Sequence, residues 1–316
     1  MLTIALTIDI DADVFDQSLQ SDPFLNQEPG WTGLEQGVPM LTELFGSYKS
    51  SDGSDCVATW FVRADDQVGY YFEDNAYLFS HYKKYWDPLS EKGHEIAWHP
   101  HLYRFHNETW IQQTDPEGLN IQLQTSFHSI GDKGWNIKSS RIGEAYFSNN
   151  MAQQLVSLGI LCDSTALPGR ERKDDTRSID WLISPERPYY PSVNDYRIPG
   201  EPHTKLLEIP FSMAEVLADY DKAPLKRYID LSFWHRALKD GLHNIVNDQA
   251  ILTTIVHPST VVAGLSAKPH GLLSYSMEEV RKNLDFIIAL AKEKNIEYRF
   301  KTISQVRNDL AKEQHG

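Results

Sequence analysis

Leu2-Thr3-Ile4-Ala5-Leu6-Thr7-Ile8-Asp9-Ile10-Asp11-Ala12-Asp13 is the stretch on which the fold turns. Its β-branched and aliphatic residues read as a strand, Leu2–Ile10, that runs straight into acids. Side chains on a strand alternate with period two, so Asp9, Asp11 and Asp13 share one face, with Ile10 and Ala12 on the other. Two carboxylates a few ångströms apart resist joint ionisation unless a cation lies between them. The plain alternative is a polar loop whose aspartates cap a turn. Acids stacked on one face at a strand's own end favour a functional cluster.

Working outward, strand signals recur at Val57–Val62, Glu95–His99, Leu206–Pro210 and Ile251–Val256. Weaker ones lie at Ser139–Ile142, Leu161–Ser164 and Glu297–Phe300. Between them run helical stretches: Gly37–Phe45, Asn149–Leu158, Ser232–Asn247 and Met277–Lys294. The last has Val280, Leu284, Ile287, Ile288 and Ala291 on one face and charges on the other. Strand–helix alternation from end to end, without repeats or a linker, predicts one α/β domain over residues 1–316 with a mostly parallel sheet. This many strands suit a single-domain variant (distorted) β/α barrel better than an open sheet, which stays as the alternative. In such barrels the reacting groups sit where strands end and loops begin.

The segment Gly93-His94-Glu95-Ile96-Ala97-Trp98-His99-Pro100-His101 places His99 and His101 two apart, hence on one side. Neutral imidazoles beside a carboxylate suit zinc and similar divalent ions. Pro100, without an N–H, fits a strand end. His94 has the opposite parity, and His106 lies beyond in a loop. Arg141 follows a short strand signal and can hold a carboxylate by a bidentate pair; a surface arginine is the equal alternative. His257 ends an apolar strand before Pro258, where a barrel can keep a general acid; a satisfied core histidine fits as well.

Composition narrows the partners. The chain has 316 residues, 41% hydrophobic and 23% charged, with a formal charge of −14. An acidic surface repels nucleic acid and anionic membranes and favours a small-molecule or neutral polymer substrate. No segment has about 18 consecutive apolar residues, so no membrane span is expected. The start is too short and too acidic for a signal peptide, which predicts a cytoplasmic protein. Cys56 and Cys162 lie at no metal-site spacing and read as buried free thiols. No Gly-rich loop points to phosphate binding.

Taken together, these segments resemble the polysaccharide deacetylases, the NodB-type carbohydrate esterases, over roughly residues 3 to 303. Leu6-Thr7-Ile8-Asp9-Ile10-Asp11 resembles the family's first motif, with its catalytic base and metal-binding aspartate. Thr59-Trp60-Phe61-Val62 is similar to the second strand, Gly93–His99 to the metal-histidine segment, and Leu207-Glu208-Ile209-Pro210 to a late strand. Gly159–Ser164 and Asp180-Trp181 resemble elements of a branch tied to surface-polysaccharide synthesis. There are departures. One residue separates the two aspartates, and Tyr103 stands where the second histidine is usual, leaving His101, or failing it His106. The arginine motif lacks its prolines. The resemblance implies a barrel of about seven strands and removal of an N-acetyl or related acyl group from an amino sugar. The implied cofactor is one divalent ion on Asp11, His99 and His101, zinc first, then nickel, cobalt, iron or manganese. It makes Asp9 the base, His257 the acid and Arg141 the partner of Asp9, with Asp163 or Asp180 behind them. Trp98, Trp181, Tyr189 and Tyr190, with Tyr103 close by, could face a sugar; core packing is the alternative for each. Cleavage of another non-peptide carbon–nitrogen bond, such as a cyclic amide, and an inactive carbohydrate-binding relative are the rival readings.

Overall fold

The computed structural model describes residues 1–13, 29–173, 177–248, 250–265 and 271–313. Its strands are β1 (Leu2–Ile10), β2 (Ala58–Arg63), β3 (Glu95–His99), β4 (Tyr103–His106), β5 (Thr109–Gln112), β6 (Ser139–Ser140), β7 (Cys162–Asp163), β8 (Glu171–Lys173), β9 (Ser178–Asp180), β10 (Leu207–Glu208), β11 (Met213–Val216), β12 (Leu225–Tyr228), β13 (Ile251–Val256) and β14 (Tyr298–Phe300). The main sheet runs β10-β7-β6-β3-β2-β1-β13, with β14 on β1 off that path. These eight strands are the eight legible in the sequence. The pairs β1–β13, β1–β14, β3–β6, β6–β7 and β7–β10 are all parallel. A seven-strand parallel path with helical crossovers is the sheet of a distorted β/α barrel.

By its internal packing the chain divides into two compact units. The first comprises Met1–Trp60, Lys92–His94 and Ser212–Thr302. Here β1 is buried on both faces, Ile4, Leu6, Ile8 and Ile10 on one and Ala5, Thr7 and Asp9 on the other. Each of those leucine and isoleucine side chains contributes about 1.5–3 kcal/mol on burial. The register Thr3↔Ile251 to Ile8↔Val256 continues one step to set Asp9 beside His257. Helix α1 (Thr32–Gly46) starts on Asp13, whose carboxylate accepts from Thr32 N at 3.1 Å and Gly33 N at 2.6 Å. Thus the third aspartate of the opening motif satisfies a helix N-terminus rather than joining the chemistry.

The second unit comprises Phe61–Glu91, Glu95–Phe211 and Ile303–Gly316. It holds α2 (Asp66–Phe72), α3 (Tyr77–His81), α4 (Lys83–Glu91), α5 (Pro116–Asp132), α6 (Asn149–Ser157) and, at its end, α9 (Ile303–Glu313); α7 (His235–Asp248) and α8 (Met277–Glu293) belong to the first unit. Of these, α6, α7 and α8 follow the expected bounds within three residues, while α2 to α5 and α9 were not legible as periodic stretches. The β4–β5 hairpin closes on Asn107 and Glu108, at φ 48° and 60°, the two left-handed positions of a type I′ turn. Both cysteines are free and buried, as expected, and burial pushes their thiols up.

Candidate metal and catalytic site

In the first unit, Asp9 is buried in the last turn of β1's face and Asp11 lies just past the strand, half-buried. His257 follows β13. Its Nε2 lies 3.6 Å from Asp11 Oδ2 and its Nδ1 3.9 Å from Asp230 Oδ2, both ion-pair rather than hydrogen-bond distances. Burial disfavours the imidazolium, but Asp230, Asp11 and Asp9 outweigh it and push the pKa up to about 9. His257 therefore carries its proton at neutral pH. Asp230 was not singled out from sequence. It is buried and fixed by Ser232, whose N and Oγ donate to its Oδ1 at 2.8 and 2.6 Å. The signal was available: an aspartate two residues past a strand, in Asp230-Leu-Ser232, with the side chain turned back on its own backbone.

In the second unit, His99 closes β3 and is buried. Its Nδ1 donates to the Arg141 carbonyl at 2.7 Å, which leaves Nε2 with its lone pair outward. The Nε2 atoms of His99 and His101 are 3.3 Å apart. Two nitrogens on one tetrahedral zinc, each about 2.0–2.1 Å from it, stand roughly 3.3 Å apart. The pair therefore fits a shared ion. The His101 backbone N–H donates to Asp65 Oδ2 at 3.0 Å, and Asp65 also accepts from Arg63 Nε at 2.7 Å and caps α2 through Gln67 N and Val68 N. Asp65 is a second residue the sequence reading missed, although an aspartate between a strand and a helix is a recognisable cap. Gly143 lies against the His101 ring: a Cβ there would meet Cδ2 at 2.0 Å and Nε2 at 2.3 Å.

Arg141 is fully buried. Its Nε and Nη2 donate to the Ser164 carbonyl and Oγ at 2.7 and 2.9 Å, and its guanidinium lies 4.3 and 4.1 Å from the Phe61 and Phe211 rings. The alternative of a surface arginine is thereby removed. Asp163 is buried nearby and feels the Arg141 charge. Asp180 does not join this group: it pairs with Arg197, which also holds Asp195 at 2.9 Å. His94 accepts from Ala58 N at 3.0 Å, and burial lowers its pKa to about 4, a structural histidine. His106 ends β4 beside the hairpin turn, exposed.

The expected sugar-facing wall is corrected. Trp98, Trp181 and Tyr189 are buried, and the indole N–H groups of both tryptophans are spent on the Ala64 and Ala145 carbonyls. Their bulk fills the core, where large aromatic side chains bury the most area per residue. Tyr103 is also buried, its ring 6.3 Å from that of His101, and Tyr190 is half-buried against His203. Exposed aromatic surface lies elsewhere. Tyr70 and Phe105 are 56% and 47% exposed and cluster with Trp110 at centroid distances of 5.2–5.6 Å.

Asp11 in the first unit and His99 with His101 in the second each offer a ligand atom suited to a metal ion. A seven-strand parallel path with helical crossovers defines the class of distorted β/α barrels. The fold is that of the NodB-type polysaccharide deacetylases. A candidate polysaccharide deacetylase from Mycobacterium smegmatis superposes with a TM-score of 0.56 at 17% identity, over 99% of this chain and 91% of that one. Puue allantoinase superposes at 0.54 and 13% identity, over 96% and 88%. At such identities the likeness is one of fold. No family model matches the chain, and no curated protein is similar to it in sequence. No helix among the described residues is long and apolar enough to cross a membrane.

Proposed function

We propose that the chain, working as one domain over residues 1–316, is a divalent-metal hydrolase that removes an N-acetyl or related acyl group from an amino-sugar substrate. The observation that carries this reading is the pair of His99 and His101 Nε2 atoms at the end of β3, 3.3 Å apart as two donors on one ion would stand. Two imidazoles and one carboxylate suit zinc first, and leave positions open for water and substrate. A bound ion there would polarise the amide carbonyl and acidify a water. Asp9 takes the proton from the attacking water. Arg141, through its own carbonyl, orients His99. His257, already protonated, delivers its proton to the departing amine nitrogen, without which an amide leaves poorly. Asp230 holds the imidazolium in place. The exposed rings of Tyr70 and Phe105 offer apolar faces to a pyranose.

The test combines metal and substrate. Purified protein is titrated with zinc and then offered N-acetylated amino-sugar oligomers beside a panel of cyclic amides. Stoichiometric zinc uptake with acetate release supports the proposal; failure to take up zinc, nickel, cobalt or manganese overturns it. The second reading, hydrolysis of another carbon–nitrogen bond, is favoured by the shared fold of the allantoinase, and turnover of a cyclic amide alone would select it.

A further inference from the structure

A row of buried polar groups behind Arg141 is used by no step above. Ser140, Asp163 and Glu208 are in-register neighbours on the parallel strands β6, β7 and β10, so their side chains stand on one face. All three are buried. Asp163 Oδ2 accepts from Ser140 Oγ at 2.6 Å and Oδ1 from Thr165 N at 3.0 Å. Glu208 Oε1 accepts from Thr165 N at 3.1 Å and Ala166 N at 2.9 Å. Glu208 Oε2, equally buried, meets no donor, yet the Asp163 carboxyl is within hydrogen-bonding reach of Glu208. Two ionised carboxylates side by side in a dry row would leave that oxygen facing only another acceptor.

We propose that Asp163 and Glu208 form a one-proton acid dyad in which neutral Glu208 donates through Oε2 to Asp163, making Glu208 a positioning residue for the strand ends that carry Arg141 and His99. A single proton satisfies the orphaned oxygen and leaves the dyad one negative charge against the one positive charge of Arg141. Burial raises both acids, and Asp163 raises Glu208 further. The remaining ionisable neighbours do not compete for that proton. Tyr189, bridged to Glu208 along the backbone, spends its hydroxyl on the Tyr196 carbonyl at 3.0 Å. Cys162 points to the other face of β7, where Glu95 and Arg307 of α9 act on it. The link to the site is covalent and short. Ser140 precedes Arg141, whose N–H donates to the Trp98 carbonyl at 2.9 Å and whose carbonyl holds His99 Nδ1. The positioning role rests on the reading of His99 as a ligand; the dyad itself does not.

The test is infrared difference spectroscopy on the whole protein at neutral pH, with zinc titration of the same variants. Wild type should show the carbonyl stretch of one buried protonated carboxyl. Glu208→Gln should lose it while keeping fold and zinc affinity, because the amide reproduces both the acceptor and the donor. Asp163→Asn should lose it too, because its amide then donates and lets Glu208 ionise. Absence of the band in wild type, or its persistence in either variant, overturns the dyad. A folded-state pKa raised above the ordinary glutamate value gives stability that is full below that value and lost as pH rises. Wild type should therefore lose Tm, with a one-proton slope that Glu208→Gln lacks, as pH rises above the ordinary glutamate value, and parallel curves would refute the assignment. Glu208→Leu should weaken zinc binding about 10- to 100-fold, and unchanged affinity would remove the positioning role. If His99→Ala binds zinc normally, the ligand reading fails while the band and slope still judge the dyad.

Discussion

Replacing Gly143 by alanine should displace one proposed ligand without touching it chemically. The added Cβ would stand 2.0 Å from His101 Cδ2, 2.3 Å from Nε2 and 2.5 Å from Cγ, where real Cβ contacts essentially never fall below 3.0 Å. The imidazole must therefore retreat by at least about 1 Å, whereas a metal–nitrogen bond tolerates roughly 0.2 Å. Gly143 itself is held by its N–H on the Pro100 carbonyl at 2.8 Å, so the ring, not the backbone, gives way. Overpacking of this kind costs about 1–3 kcal/mol, which lowers Tm but leaves the chain folded. Loss of zinc affinity should reach about 100-fold or more, the upper end for disturbing a ligand's support. Zinc competition titrations on Gly143→Ala, beside thermal melts, measure both. Gly131→Ala is the control, since a Cβ there meets nothing within 4 Å. Wild-type zinc affinity in folded Gly143→Ala would refute His101 as a ligand.

Further predictions concern the acids, the acid–base histidine and the aromatic cluster. Asp9→Asn should keep its metal and lose about 10²- to 10⁴-fold in turnover, while Asp11→Asn should lose metal and recover in part at high zinc; the opposite pattern exchanges the two roles. His257→Ala should lower turnover about 10²-fold or more with metal retained. Because the folded pKa of His257 is raised to about 9, its contribution to the metal-free protein is full below the ordinary histidine value and lost as pH rises through about 9. Melts across that window should show a one-proton decline that His257→Ala lacks. Tyr70→Ala and Phe105→Ala should raise KM for oligosaccharides with little change in kcat, and an unchanged KM for both would remove the aromatic cluster from substrate binding.

The sheet was legible because a strand buried by its neighbours must be written in β-branched and apolar residues wherever it falls. β1, β2 and β13 carry that signature in full, β6 and β7 are short and polar and gave only weak signals, and β1, β3 and β13 match the expected bounds to the residue. The alternation of side chains likewise put Asp9 with Asp11 and His99 with His101 on common faces, since period two is a local property of the chain. What the sequence could not say is which neighbour each polar group would meet. Asp13 turned to cap α1, Asp180 went to Arg197, and Trp98 and Trp181 went into the core. Asp65, Asp230, Gly143 and Glu208 act through partners 27 to 45 residues away, by contact rather than by pattern: Asp65 with His101, Glu208 with Asp163, Gly143 with His101, Asp230 with His257. Periodicity fixes the face a side chain takes; only tertiary packing decides what stands opposite it.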